Sequence, residues 1–156
     1  MSPTSSTLES RRFAEGIHVE TGSFEQWAEH SFEHPLLKTP AHGKLFLKDL
    51  LAVDGAEISI NQFPPGWAMP FLHAHKRNDE IYVILQGEGE FYLDGKIFPV
   101  KQGSVVLARP NASRSLRNRG DEWLTYLCLQ VASDSKIGGT TSDGKAVAGS
   151  PGWQEK

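Results

Sequence analysis

The sequence predicts an all-β protein with a single hydrophobic core. Its 156 residues suffice for one domain and hardly for two. Hydrophobic residues make up 38% of the chain, which is enough to form a core, and 15 glycines and 9 prolines disfavour long helices. About eight short strands in a domain of this size predict a jelly roll, a sandwich or a small closed barrel, all of which hide sheet edges.

The first predicted element is an arm that carries a short helix. Residues 1 to about 20 are polar and rich in Ser and Thr, so we expect them to form a loose arm. Ser23 stands before Phe24-Glu25-Gln26-Trp27, so Gln26 lies three residues on, which is the capping-box pattern of a helix start, and Pro35 stops any continuation. We therefore assign residues 1–44 to this arm.

Strand-like periodicity begins at Leu45 and ends near Val131, which predicts a β domain over residues 45–131. Asp54-Gly55 and Asp94-Gly95 are hairpin signals, because glycine tolerates positive φ, so neighbouring strands should pair antiparallel. Residues 132–156 are polar and glycine-rich, and we expect a tail or a lid there. The predicted strands are 45–51, 56–63, 80–86, 88–93, 97–100, 104–109, 113–118 and 123–131.

Composition excludes several classes of function. The single cysteine, Cys128, rules out an internal disulfide, a four-cysteine zinc site and a CxxC redox pair, and its apolar surroundings predict a small buried side chain rather than a nucleophile. A net charge of -3 argues against nucleic-acid binding. No apolar run approaches the 18 or so residues needed to span a bilayer, so we expect a cytoplasmic protein without membrane contact.

The strongest chemical signal is the segment His73-Ala-His75-Lys-Arg-Asn-Asp-Glu80. Residues two apart in an extended segment point the same way, so both imidazoles can converge on one point, and the following turn can bring Glu80 to it. Two histidines and one carboxylate suit iron(II), manganese, nickel or zinc better than calcium. The spacing alone is also compatible with two solvated histidines in a loop.

The strand that follows favours a site inside the fold. Glu80, Tyr82 and Ile84 share one face, and the opposite face is apolar too. A strand buried on both sides, with a carboxylate and two imidazoles at its mouth, is typical of a small-molecule pocket. Tyr82 is then a candidate to hydrogen-bond a ligand or donate a proton, with core packing as the alternative.

Two motifs carry a family resemblance. The segment from Gly66 through His73, His75 and Glu80 to Gly87 resembles the first motif of the cupin superfamily, G-x5-H-x-H-x3/4-E-x6-G, except that its leading glycine is one residue early. Residues 103–118 are similar to the second motif, G-x5-P-x-G-x2-H-x3-N. The resemblance implies a single-domain, cupin-type jelly-roll β-barrel with a short N-terminal helix and arm, and a homodimer.

The second motif lacks its histidine, which in cupins supplies a fourth metal ligand. Spacing from Gly103 and Asn118 places Arg114 there, whereas spacing from Pro110 places Ser115 there. A guanidinium has no lone pair to give, and a neutral hydroxyl binds transition metals poorly. A histidine that precedes the β domain is an alternative source of the ligand, and the candidates are His18, His30, His34 and His42.

Two hypotheses follow for the site. In the first, His73, His75 and Glu80 bind a divalent metal, and Arg114 and Tyr82 bind an anionic substrate; the resemblance then implies a dioxygenase or an isomerase of sugars or organic acids. In the second, no metal binds, Glu80 pairs with Arg114, and the protein holds or senses a small ligand without catalysis.

Overall fold

The computed structural model describes residues 8–134 and 144–153, and the fold is mostly strands with two short helices. Eight strands form two antiparallel sheets of a jelly roll. In chain order, the helices and strands of the described residues are β1 (Ser10–Arg12), β2 (Ile17–Val19), α1 (Phe24–Trp27), β3 (Ser31–Phe32), β4 (Ala41–His42), β5 (Lys44–Phe46), α2 (Lys48–Leu51), β6 (Ala56–Phe63), β7 (Asn78–Gln86), β8 (Glu88–Leu93), β9 (Lys96–Lys101), β10 (Val105–Ala108), β11 (Arg114–Asn118) and β12 (Leu124–Ala132).

The larger sheet has the strand order β10-β7-β12-β6-β5, and the smaller sheet has the order β11-β8-β9. Each hydrogen-bonded pair within them is antiparallel, as the turn signals predict. Side chains of both sheets meet in one core; for example, the rings of Tyr82 on β7 and Phe91 on β8 lie 4.8 Å apart. The prediction of an all-β jelly-roll fold is confirmed.

Two local predictions are wrong. The strand expected over 45–51 ends at Phe46, and residues Lys48–Leu51 form α2 instead. Leucines at positions 47, 50 and 51 have the i, i+3, i+4 spacing of a helix, and none of these residues is β-branched, so helical propensity prevails. The arm is also less loose than expected, because β1 and β2 pair as a hairpin.

The structure contains the helix predicted after Ser23 and describes only part of the predicted arm and tail. Helix α1 begins where the capping box predicts, and the Ser23 N–H donates to the Gln26 side chain at 2.8 Å. Part of the expected tail or lid, residues 135–143 and 154–156, lies outside the described residues, as do residues 1–7 of the arm. Within the described ranges, neither helix has the length and apolarity that crossing a bilayer requires.

Glycine at position 87 is required by the tight connection between β7 and β8. Its φ is +81°, and a Cβ there would lie 2.6 Å from the Trp123 backbone oxygen. Gly95 in the β8–β9 turn has a similar φ of +89°, but a Cβ there would meet nothing within 4 Å. Substitution of Gly95 would therefore introduce backbone strain alone, whereas substitution of Gly87 would introduce both backbone strain and a steric clash.

Replacing each of these glycines with alanine tests that distinction. Gly95→Ala should cost about 1 kcal/mol of unfolding free energy, from the left-handed conformation alone. Gly87→Ala should cost about 2–4 kcal/mol, because the Trp123 backbone must also shift. Urea denaturation measures both values, and equal losses would contradict the steric contribution.

Candidate metal and ligand site

The register of the larger sheet aligns the polar side chains of its inner face in rows. Cys128 on β12 lies opposite Tyr82 on β7 and opposite Ser59 on β6. Asn61 on β6 lies opposite Tyr126 on one side and Lys44 on the other. Side chains directly opposite each other share a face, so residues far apart in the sequence line one interior surface.

The segment that carries the histidines crosses from the smaller sheet toward the start of β7. Its backbone pairs with Arg114 on β11, whose N–H donates to the His73 carbonyl at 3.0 Å. The Asn111 N–H donates to the His75 carbonyl at 2.8 Å. These bonds hold both histidines beside Glu80, which lies near the start of β7.

The structure brings His73, His75 and Glu80 together, with one possible ligand atom from each lying within 4.8 Å of the others. Nε2 of His75 is 3.3 Å from Glu80 Oε1, and Nε2 of His73 is 3.5 Å from Glu80 Oε2. Ligands about 2.0–2.2 Å from a zinc ion lie about 3–3.5 Å apart, so the donor types fit a transition metal and both histidine–Glu80 separations match this spacing.

Glu80 is buried and retains its negative charge. Burial alone would raise its pKa, but hydrogen bonds from His73, Tyr82, Arg114 and Cys128 hold that pKa well below the usual range. The Tyr82 hydroxyl donates to Oε2 at 2.6 Å and the Cys128 thiol donates to Oε1 at 3.2 Å. The carboxylate is therefore available as an anionic ligand at neutral pH.

Arg114 is fully buried and bonds mainly to the protein. Its Nε donates to Glu80 Oε2 at 2.8 Å, and its Nη1 donates to the Ala112 carbonyl at 2.8 Å. Nη2 is buried without a hydrogen-bond partner. Substrate binding by Arg114 stays a prediction that rests on this one nitrogen. Ser115, the alternative position in the motif, donates its hydroxyl to the Met69 carbonyl at 3.4 Å.

The titration of the neighbouring groups favours metal binding by imidazole. Burial lowers the pKa of His75, although Glu80 offsets part of this effect, so the neutral ring has a lone pair to offer. Burial raises the pKa of Tyr82 and of Cys128. Both groups therefore keep their protons and act as hydrogen-bond donors, and Cys128 is not a thiolate nucleophile.

None of the four histidines that precede the β domain supplies a fourth ligand. Among the described residues, the cluster of possible metal ligands consists of His73, His75 and Glu80. His18 is exposed and pairs with Glu20 at 2.9 Å. His34 stacks on Phe71 with ring centroids 5.2 Å apart and lines the cavity described next, as His42 does. His30 has a buried Nε2 without a partner.

A cavity of about 340 Å³ opens beside the three candidate ligands. Six aromatic residues contribute to its walls, and Phe63 packs against both Trp67 and Tyr126 with centroid separations of 4.3 Å and 5.3 Å. The lining aromatic residues are Phe32, Phe46, Phe63, Trp67, Phe71 and Tyr126. Such a space suits a small molecule with an apolar body.

Sequence reasoning missed Lys44, which also lines this cavity. Its ammonium donates to Asn61 Oδ1 at 2.8 Å and to Ser59 Oγ at 3.3 Å, and it lies 4.8 Å from the ring centroid of Phe46. Burial lowers the pKa of Lys44. The polar positions 59 and 61 inside a predicted strand were the signal that could have revealed it.

A two-sheet jelly roll with a His-x-His pair and a glutamate beside its cavity defines a class of β domains suited to binding metals and small molecules. Residues 59–130 match the family described as Cupin domain. A cupin protein from Bacteroides fragilis is 34% identical, with a TM-score of 0.64 over 76% of this chain and 98% of its own. The chain belongs to the cupin superfamily.

Two curated relatives match shorter stretches. An oxalate-binding protein from Thermotoga maritima is 40% identical over 70 residues, which are 45% of this chain and 57% of that protein. An uncharacterised protein from Methanocaldococcus jannaschii is 36% identical over 64 residues, which are 41% of this chain and 51% of that protein. The chain thus spans little more than half the length of either relative.

Two arginines on β11 allow a matched test of the buried ion pair. Arg114→Met should cost about 3–5 kcal/mol of unfolding free energy, because it leaves the buried Glu80 charge without its cation. Arg117→Met should cost less than about 1 kcal/mol, since Arg117 is exposed and pairs with Glu90 at the surface. Urea denaturation gives both values; a small loss for Arg114→Met would show that the pair contributes little.

Glu80 should also make the metal-free protein sensitive to acid. In the unfolded chain this carboxyl titrates near 4.5, and in the folded protein it titrates well below that value. At pH values between these two pKa values, the unfolded state binds more protons than the folded state. The stabilisation from Glu80 is therefore complete above about pH 5 and is lost as the pH falls. Glu80→Gln should give a shallower decline of unfolding free energy in urea titrations from about pH 6 to pH 3; parallel curves would contradict this.

Proposed function

We propose that the protein is a metal-dependent cupin enzyme, dioxygenase-like or isomerase-like, that acts on a small anionic sugar or organic acid in its cavity. The observation that carries this proposal is the convergence of His73, His75 and Glu80 at the wall of an aromatic-lined cavity. The oxalate-binding relative supports an organic acid as the class of ligand.

In this proposal, His73, His75 and Glu80 hold iron, manganese, nickel or zinc. Such an ion, when bound, supplies Lewis acidity toward a substrate oxygen, and iron also supplies one-electron chemistry with dioxygen. Three protein ligands leave coordination positions for a substrate or water. Glu80 contributes the negative charge, and Arg114 fixes its orientation through Oε2, which leaves Oε1 facing His75.

Tyr82 is the proposed proton-handling residue because of its position beside Glu80. Its hydroxyl keeps its proton and donates a hydrogen bond to Glu80 Oε2. It also lines a small cavity of about 50 Å³ together with Lys44, His73 and Glu80. A Tyr82 that served a substrate would have to exchange its bond to Glu80 for one to the ligand. Arg114 has an unpartnered Nη2, but this nitrogen is buried and Arg114 lines neither of the two cavities, so the side chain would have to move to bind a substrate.

A non-catalytic small-ligand-binding or sensing cupin is the second candidate function. One observation favours it: the Glu80 carboxylate already accepts hydrogen bonds from Arg114, Tyr82 and Cys128, so its charge is compensated without an ion. In that case the two imidazoles serve as hydrogen-bonding groups for the ligand. A homodimer and a cytoplasmic location stay predictions for either function.

Metal reconstitution separates the two functions. Protein purified without a His tag is incubated with iron(II), manganese, nickel or zinc, desalted, and assayed for bound metal by mass spectrometry. We expect about one equivalent of at least one metal, held by the three ligands. Less than about a tenth of an equivalent of every metal would rule out the metal-dependent enzyme and leave the binding protein.

The ligand assignment has matched controls. His75→Ala should abolish metal uptake, because it removes one of three ligands. His18→Ala should not affect uptake, since His18 is an exposed histidine that pairs with Glu20. Ser115→Ala should also leave it unchanged. Metal retained by His75→Ala and lost by His18→Ala would place the ion elsewhere.

A further inference from the structure

We propose that Lys44 is the carboxylate-binding residue of the cavity, and that the ligand is a small organic acid with a flat, apolar body. This inference deepens the proposed function by naming the class of ligand, and it rests on that proposal only in taking the cavity to be the ligand site. It does not require a metal.

The interior of the sheet holds the Lys44 ammonium in place. Asn61 and Ser59 are 1% and 2% exposed, and both accept hydrogen bonds from Nζ. The Asn61 amide nitrogen donates to the Ser59 carbonyl at 3.1 Å and to its hydroxyl at 3.0 Å, which turns Oδ1 toward the lysine. Two buried polar side chains in the middle of a sheet thus position one cation.

The charge of Lys44 has no paired counterion among the described residues. Its two hydrogen-bond acceptors are neutral, and none of the ion pairs formed within the described ranges includes it. Glu80 and Glu57 attract the ammonium electrostatically, but neither forms an ion pair with it, and Glu80 is already bonded to Arg114. An ammonium binds three acceptors, so one donor of Lys44 remains for a ligand. Partly buried charge without a partner is costly, and a carboxylate would remove that cost.

The surroundings of Lys44 define the rest of the ligand. The ammonium lies 4.8 Å and 5.8 Å from the ring centroids of Phe46 and Phe32, and Trp67 and Tyr126 line the same cavity. Aromatic faces favour flat, apolar partners. One unpaired lysine balances one negative charge, which favours a monocarboxylate over a phosphate dianion. The cavity volume, near the lower end for ligand sites, accommodates a body of one ring.

The test is isothermal titration calorimetry on the full chain after treatment with EDTA, with benzoate as the probe. We expect benzoate to bind at least about tenfold more tightly than benzamide, which has the same shape without the charge. Acetate, which has the charge without the ring, should also bind at least about tenfold more weakly. Equal affinities for benzoate and benzamide, or no benzoate binding up to about 10 mM, would overturn the proposal.

Variants locate the charge that is responsible. Lys44→Met keeps the length of the side chain and should weaken benzoate binding by at least about tenfold while leaving benzamide unchanged. Lys101→Met, on the exposed face of β9, should change neither affinity. Full benzoate affinity in Lys44→Met would overturn the role of Lys44. If this variant does not fold, the comparison of benzoate with benzamide in the unmodified protein still decides whether the cavity holds a carboxylate-binding charge.

Metal reconstitution and benzoate calorimetry test separate claims, so either claim can be refuted while the other stands. Benzoate binding by EDTA-treated protein that takes up no metal would refute the metal-dependent enzyme and keep the assignment of Lys44. One equivalent of metal in protein that does not discriminate benzoate from benzamide would support the metal-dependent enzyme and refute the assignment of Lys44.

Discussion

A buried carboxylate links the two sheets of this protein, and the candidate site is built around the way its charge is balanced. Glu80 belongs to β7 of the larger sheet, and Arg114 belongs to β11 of the smaller one. Their contact of 2.8 Å spans the interior. Since an unpaired buried charge is strongly destabilising, the position of one sheet relative to the other is tied to the geometry of the site. The segment that carries His73 and His75 is fixed by the same strand, through the backbone of Arg114.

Arg114 occupies the position where the second cupin motif has a histidine, and the structure shows what it bonds to there. A guanidinium at the position of the missing histidine cannot ligate a metal, but it donates to the carboxylate that can. An arginine there keeps Glu80 ionised and directs one of its oxygens. It also adds positive charge near any bound cation, which should weaken metal affinity relative to a site with four ligands. The arginine at this position is therefore compatible with both hypotheses drawn from the sequence, the metal-dependent enzyme and the metal-free binding protein.

Local patterns predicted much of the fold, but not the side chains that come together across it. The strand over residues 56–63 and the helix after Ser23 follow from periodicity and capping, and the spacing of His73, His75 and Glu80 was enough to group them. The strand predicted over residues 45–51 is wrong because Leu45 and Leu47 alternate as in a strand, whereas Leu47, Leu50 and Leu51 have the spacing of a helix, which prevails. The polar positions 59 and 61 mark a polar interior face, but which residues lie beside them depends on strand register, which is set by pairing over long sequence separations, so Lys44 and Cys128 were not assigned to the site.

Trp67 gives the cavity an optical reporter of its own. It packs against Phe63 on the cavity wall, whereas Trp27 is buried on α1, away from this wall, and Trp123 and Trp153 are 39% and 86% exposed. The indole emission of Trp67 responds to the polarity and quenchers of the space that a ligand would fill. A chain in which Trp67 is the only tryptophan would thus report on cavity occupancy without a dye, and a paramagnetic ion at the neighbouring imidazoles would quench the same signal.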